Sequence, residues 1–163
     1  MHVQLAAPTA EDTRAIGAAI APLLRAGDAV SLTGELGAGK TTFVHGVAGA
    51  LGYRGAVASP TFTLVREYRA PGLTLLHADV YRLDRVQEVV DLGLLDLLEG
   101  DGVLLVEWGD AVEALLPEDH LTVELTVPGE GDDRSITIRP EGSPWSTRWE
   151  RLEQVVERWM AAA

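Results

Sequence analysis

The sequence predicts an α/β fold: a three-layer sandwich with helices on both faces of a mostly parallel sheet, and an antiparallel hairpin late in the chain. Three observations carry that expectation. Short apolar runs at 29–33, 73–78 and 103–106 are separated by segments of helical periodicity, the alternation that builds a parallel sheet. Val103-Leu104-Leu105-Val106 is apolar without a break, as a strand covered on both faces must be. Beyond residue 120 the pattern changes to strict alternation on either side of a polar turn.

Taken in order, Thr9 is placed to cap the first helix, with Asp12 three residues on to complete a capping-box-like pair. Ile16, Ile20, Leu23 and Leu24 form its apolar stripe, and Gly27 reads as its stop. The strand over 29–33 runs directly into a glycine-rich segment, and a helix is expected over about 40–51 with Gly52 as C-cap. Between the strands at 73–78 and 103–106, Asp84 and Gln87 can cap a helical stretch through Val89, Val90, Leu94, Leu95, Leu97 and Leu98. Leu121, Val123, Leu125 and Val127 point one way along a strand, and Ile136 and Ile138 answer after the turn at 128–133. A last helix over about 144–161, opened by Ser143-Pro144, carries Trp145, Trp149, Leu152, Val156 and Trp159 on one face. Without repeats or low-complexity linkers, the 163 residues read as a single domain.

Composition narrows the function. At 47% hydrophobic and 23% charged residues, the chain can bury a full core without disulfides or structural metal. It has no cysteine, which excludes a disulfide framework and any thiolate metal site. Its first residues lack a signal-peptide pattern, and no apolar run approaches the roughly 18 residues of a membrane span. A soluble cytoplasmic protein is therefore expected, with no membrane partner. With 25 acidic against 13 basic side chains the net charge is −12, which argues against direct nucleic-acid binding, because that affinity comes from cations on phosphates. Any nucleic acid would be reached through a partner. There is one lysine, Lys40, against twelve arginines.

Gly34-Glu35-Leu36-Gly37-Ala38-Gly39-Lys40-Thr41 matches the phosphate-binding pattern G-x-x-x-x-G-K-[ST] in full, and Thr42 follows it. Glycines let successive N–H groups turn inward towards phosphate oxygens, and the following helix adds its positive end. Lys40 is the charge for the β- and γ-phosphates of ATP, and the Thr41 hydroxyl is a hard oxygen for Mg²⁺. A strand before the motif and a helix starting inside it are the context that makes it a P-loop, and the fold a P-loop NTPase sandwich.

Such a site needs a second acid at the end of a neighbouring strand. Asp79 and Glu107 both end apolar strands, and the longer apolar run before Glu107 favours it for the central position. Trp108 follows at the crevice edge, where an adenine can stack, although a tryptophan there is more often core or rim packing. Ser59-Pro60-Thr61-Phe62-Thr63 lies where a γ-phosphate-sensing switch would, but spacing alone favours an ordinary loop. His45 and His77 have no companion at metal-ligand spacing.

The P-loop as Gly-Glu-Leu-Gly-Ala-Gly-Lys-Thr-Thr, Ser59-Pro60-Thr61-Phe62-Thr63-Leu64, His77-Ala78-Asp79-Val80-Tyr81-Arg82-Leu83 and Val106-Glu107-Trp108 together closely resemble the TsaE (YjeE) family. The resemblance runs from about residue 9 to 139. It implies the bacterial ATPase of tRNA threonylcarbamoyladenosine synthesis, working with TsaB and TsaD, which would handle the tRNA. On that resemblance Thr41 and Glu107 hold Mg²⁺, Trp108 lies against adenine, and Thr61 belongs to the switch-like loop. Asp79 positions the attacking water, and Arg134 reaches the nucleotide from the hairpin side. Ala78 departs from the bulky residue usual before that acid. Two other readings of the residues remain: a small-metabolite kinase, for which no lid segment is found, and a nucleotide-gated binding module that does not hydrolyse ATP.

Overall fold

Seven strands form one sheet in a computed structural model that describes residues 1–35, 37–58, 65–79, 100, 102–107, 116–142 and 145–160. In chain order they are β1 (Val3–Ala7), β2 (Ala29–Gly34), β3 (Val65–Arg69), β4 (Thr74–Asp79), β5 (Gly102–Glu107), β6 (His120–Thr126) and β7 (Arg134–Glu141). The spatial order is β1-β7-β6-β2-β5-β4-β3. The four middle strands, β6, β2, β5 and β4, run parallel, while β3, β7 and β1 add antiparallel edges. The fold is thus mixed α/β, and the expected late hairpin is β6–β7. The helical layer expected over 84–98 lies outside the described residues, as does the Ser143-Pro144 start of the last helix.

Burial follows the pleat. Every residue of β5 is buried, as its unbroken apolar run requires. Alternate residues share a face. Val30 and Leu32 of β2, Leu75 of β4 and Val103 and Leu105 of β5 therefore pack with Phe43, Val44 and Val47 of helix α2 (Lys40–Ala50). On the other side of the pleat Leu76, Leu104 and Val106 are buried too.

Helix α1 (Ala10–Ile20) begins with the expected capping box: Thr9 Oγ1 accepts from the Asp12 N–H, and the Asp12 carboxylate accepts from the Thr9 N–H. The helix does not run to Gly27. Pro22, which lacks an N–H, sits in a 3₁₀ turn over Ala21–Leu23, and Gly27 instead turns the chain into β2 with φ 93°. Helices α1 and α2 cross at close range, because a Cβ on Gly46 would overlap the Arg14 carbonyl oxygen.

The last helix, α3 (Trp149–Val156), is shorter than expected and continues as a 3₁₀ turn through Trp159. Trp145 lies ahead of it in a turn closed by the Arg148 N–H on the Trp145 carbonyl. The Arg148 side chain ties this turn to the core: it reaches back to the Asp28 carboxylate at 2.7 and 3.0 Å and to the Leu23 carbonyl at 2.8 Å. Trp145, Trp149, Leu152, Val156 and Trp159 are all buried, as the apolar stripe demands.

Two strands escape the sequence reading, β1 and β3. β1 pairs with β7, and a short polar edge, β3, pairs with β4. Among the described residues no helix is long and apolar enough to cross a membrane.

Candidate functional site

Parallel strands with a glycine-rich turn at a carboxyl end leave a crevice at that edge of the sheet. Here β2 ends at Gly34 and the chain turns through the glycine-rich segment into α2. Gly39 is the N-cap of α2 at φ 104°, a left-handed position that favours glycine. A Cβ on Gly34 would overlap the Leu125 carbonyl oxygen of β6, so the turn lies directly on the neighbouring strand.

Lys40 is buried at 4% exposure, and its Nζ donates to the Gly34 carbonyl at 2.7 Å and the Glu35 carbonyl at 3.0 Å. The ammonium therefore sits over the start of the loop. The α2 N-terminus supplies further positive potential there. Gly37 and Ala38 are held from outside. The Arg134 guanidinium donates to their carbonyls at 3.2 and 3.1 Å, and to those of Gly131 and Asp133 at 2.7 and 2.8 Å. In this structure Arg134 braces the loop's backbone.

Both sequence-selected acids lie at this edge. Asp79 ends β4 and Glu107 ends β5, and the two are register partners on adjacent parallel strands. Their exposures are 3% and 4%. β5 lies next to β2, whereas β4 is one strand further away. Accordingly it is Glu107 that reaches helix α2: Thr41 Oγ1 donates to its carboxylate, 3.1 Å from Oε2 and 3.3 Å from Oε1.

The Glu107 carboxylate has a second partner that sequence reasoning set aside. His77 Nε2 is hydrogen-bonded to Glu107 Oε2, and His77 Nδ1 lies 3.0 Å from the Tyr68 hydroxyl. The Tyr68 hydroxyl donates to the Ala58 carbonyl at 3.1 Å. Burial, with a smaller contribution from the Glu107 charge, holds the Tyr68 hydroxyl above the usual tyrosine pKa, so it stays a neutral donor. The available signal was spacing: His77 stands two residues before Asp79 on one strand, which puts both on one face.

The oxygens fit Mg²⁺. Two adjacent ligands of an octahedral ion at about 2.1 Å lie about 3.0 Å apart, close to the Thr41–Glu107 separation. Among the described residues no cluster of three or more histidines or acids gathers around a metal position. A divalent ion here would complete its shell with phosphate and water, as Mg²⁺ commonly does.

Leu36, Ser59, Thr61 and Trp108, the remaining sequence-selected residues of the loop, switch segment and base site, lie outside the described residues. Thr42 is half-buried in the first turn of α2.

Comparison with known proteins places this geometry. A family model described as "Threonylcarbamoyl adenosine biosynthesis protein TsaE" matches residues 7–136. A Bacillus subtilis (strain 168) protein named tRNA threonylcarbamoyladenosine biosynthesis protein TsaE is 42% identical over 144 residues, 88% of this chain and 89% of its own length. A Treponema pallidum (strain Nichols) protein of the same name is 43% identical over 130 residues, 80% of this chain and 95% of its own. The crystal structure of YdiB from Bacillus subtilis superposes with a TM-score of 0.81 at 36% identity, covering 94% of this chain and 95% of that one.

Proposed function

We propose, from the premise that this chain belongs to the TsaE family of threonylcarbamoyl adenosine biosynthesis proteins, that it is the Mg-ATP-hydrolysing component of tRNA N6-threonylcarbamoyladenosine synthesis. Its fold on this reading is a P-loop NTPase sandwich, and its partners are TsaB and TsaD. The observation that carries the reading is the Thr41–Glu107 pair at the mouth of a full G-x-x-x-x-G-K-T loop.

In this reading the loop N–H groups from Gly34 to Thr42, Leu36 among them, take the phosphates of ATP. Lys40 exchanges its two carbonyl partners for β- and γ-phosphate oxygens. Thr41 and Glu107 hold Mg²⁺, which offsets phosphate charge. Asp79, one strand away from Glu107 at the same register, accepts a proton of a water and aims its oxygen at the γ-phosphorus. Trp108 covers the adenine, Ser59 and Thr61 belong to a loop that senses the γ-phosphate, and Arg134 steadies the cradle from the hairpin side. The acidic surface suits a protein that leaves tRNA to its partners.

The test is ATP hydrolysis by the purified protein, alone and with TsaB and TsaD, beside a Lys40→Ala control. Slow hydrolysis alone, strong stimulation by the pair and loss of both in Lys40→Ala is the expected result. Unaltered hydrolysis in Lys40→Ala overturns the P-loop assignment. Bound ATP without stimulation overturns the partner assignment and favours a small-molecule phosphate acceptor.

A further inference from the structure

A buried carboxylate needs donors to offset the water it has lost. Glu107 has both Thr41 and His77 as partners, each reaching Oε2. His77 is fully buried. An ionised carboxylate only accepts, so the imidazole presents Nε2–H to it. Behind the ring, Nδ1 and the Ala58 carbonyl stand 3.0 and 3.1 Å from the Tyr68 hydroxyl, two acceptors for its one proton. The Tyr68 ring is itself fixed by Tyr53, with centroids 4.9 Å apart. A row of hydrogen-bonding groups thus runs from Thr41 across β5, β4 and β3 to Ala58, with the Tyr68 proton shared between Nδ1 and the Ala58 carbonyl.

We infer that His77 and Tyr68 are positioning residues, which hold the Glu107 carboxylate at the spacing from Thr41 that a Mg²⁺–nucleotide complex requires. The inference rests on the reading of Glu107 as a metal ligand. Glu107 at the end of β5 has a side chain with several rotatable bonds. When a metal binds, the Thr41 oxygen and the Glu107 carboxylate would both turn lone pairs to it, so the Thr41 bond alone does not hold the carboxylate in place. His77 is no metal ligand in this reading, so its bond to Oε2 would hold with or without the ion. Tyr68 in turn prevents the imidazole from rotating out of plane, since rotation would break a buried hydrogen bond. The role is distinct from that of Asp79, which shares the strand and the face.

The experiment compares nucleotide affinity with and without Mg²⁺ by calorimetry on the full chain, in wild type, Glu107→Gln, His77→Leu, His77→Gln and Tyr68→Phe. The ratio of the two affinities is the readout, because a general loss of packing lowers both together. The expected result is that Glu107→Gln removes most of the Mg²⁺ enhancement and His77→Leu reduces it about tenfold, as for loss of an outer-shell partner. His77→Gln, which restores a donor towards Glu107, recovers part of it, and Tyr68→Phe reduces it about threefold. Full enhancement in Glu107→Gln overturns the ligand reading and this inference with it. Loss in Glu107→Gln with full enhancement in His77→Leu overturns the inference alone. If His77→Leu does not fold, Tyr68→Phe, which deletes a single hydroxyl, decides, and an unchanged ratio there overturns the inference.

Discussion

Thr41 and Glu107, 66 residues apart in sequence, meet across the end of the sheet through hydrogen bonds of 3.1 and 3.3 Å. The contact joins the first turn of α2 to the last residue of β5, so the helix after the glycine-rich turn and a neighbouring strand are locked in one geometry. It also separates two acids that look alike in sequence, since Asp79 stands on the strand beyond.

Removing the Glu107 side chain should therefore act through metal. In Glu107→Ala, Mg²⁺-dependent nucleotide binding is expected to weaken by an order of magnitude or more, while metal-free binding changes little. Titration of nucleotide with and without Mg²⁺ checks this, and equal losses in the two titrations remove Glu107 as a ligand.

What was legible in the sequence is what is local. The glycine-rich turn, the capping box of Thr9 and Asp12 and the apolar runs of β2, β4 and β5 each show within about ten residues. β1 was missed because it alternates over five residues only and is completed by β7 at the other end of the chain. β3 reads Val-Arg-Glu-Tyr-Arg and fully buries Tyr68 alone, so an edge strand carried no apolar signal. In the site, the division between Asp79 and Glu107 depends on strand order, which periodicity does not encode. The same holds for His77 and Tyr68, whose contacts cross three strands. Spacing gave His77 no metal-ligand companion; its buried partner, Glu107, comes from the neighbouring strand.

Arg134 offers a test of loop bracing. Its guanidinium bonds four backbone carbonyls, two of them in the glycine-rich loop. Charge-assisted hydrogen bonds of this kind contribute a net of about 1.5–3 kcal/mol each when buried, and less where solvent reaches them. Because Arg134 is partly exposed, we expect Arg134→Ala to weaken ATP binding by about tenfold with little change in melting temperature. Arg134→Lys cannot span the fork and should recover little of it. Binding measured by calorimetry beside a thermal melt checks both, and wild-type affinity in Arg134→Ala removes the bracing role.

The Arg148–Asp28 pair should have the opposite profile. Its side chains are 6% and 13% exposed, and Arg148 also lies 3.8 Å over the Trp145 ring. Arg148→Ala strands the Asp28 carboxylate with the Arg25 N–H as its other described partner. Breaking a buried pair costs about 3–5 kcal/mol. For a chain of this length that is a fall of about 10 °C in melting temperature. Nucleotide affinity below the transition should stay at the wild-type value. A melting temperature within a degree or two of wild type would show that the pair does not latch the C-terminal segment to the core.

Asp12 adds a pH dependence to the same latch. Its carboxylate accepts from Thr9, the main cause of its lowered pKa, and then from the Trp159 indole N–H at 3.1 Å. The folded value lies below the ordinary 3.8, so the unfolded chain takes up the proton first as pH falls. Stability from this group is thus fully present above about pH 4 and is lost as pH drops through the folded value. Asp12→Asn, a neutral side chain of the same shape, lacks the contribution at every pH. Urea midpoints of the two proteins should differ by a constant amount near neutrality and converge below about pH 4. The near-ultraviolet signal of the buried tryptophans should weaken over the same range in wild type, because Trp159 loses a charged acceptor. A gap in midpoints that stays constant down to pH 3 would mean that the carboxylate's charge does not hold the C-terminal segment against α1.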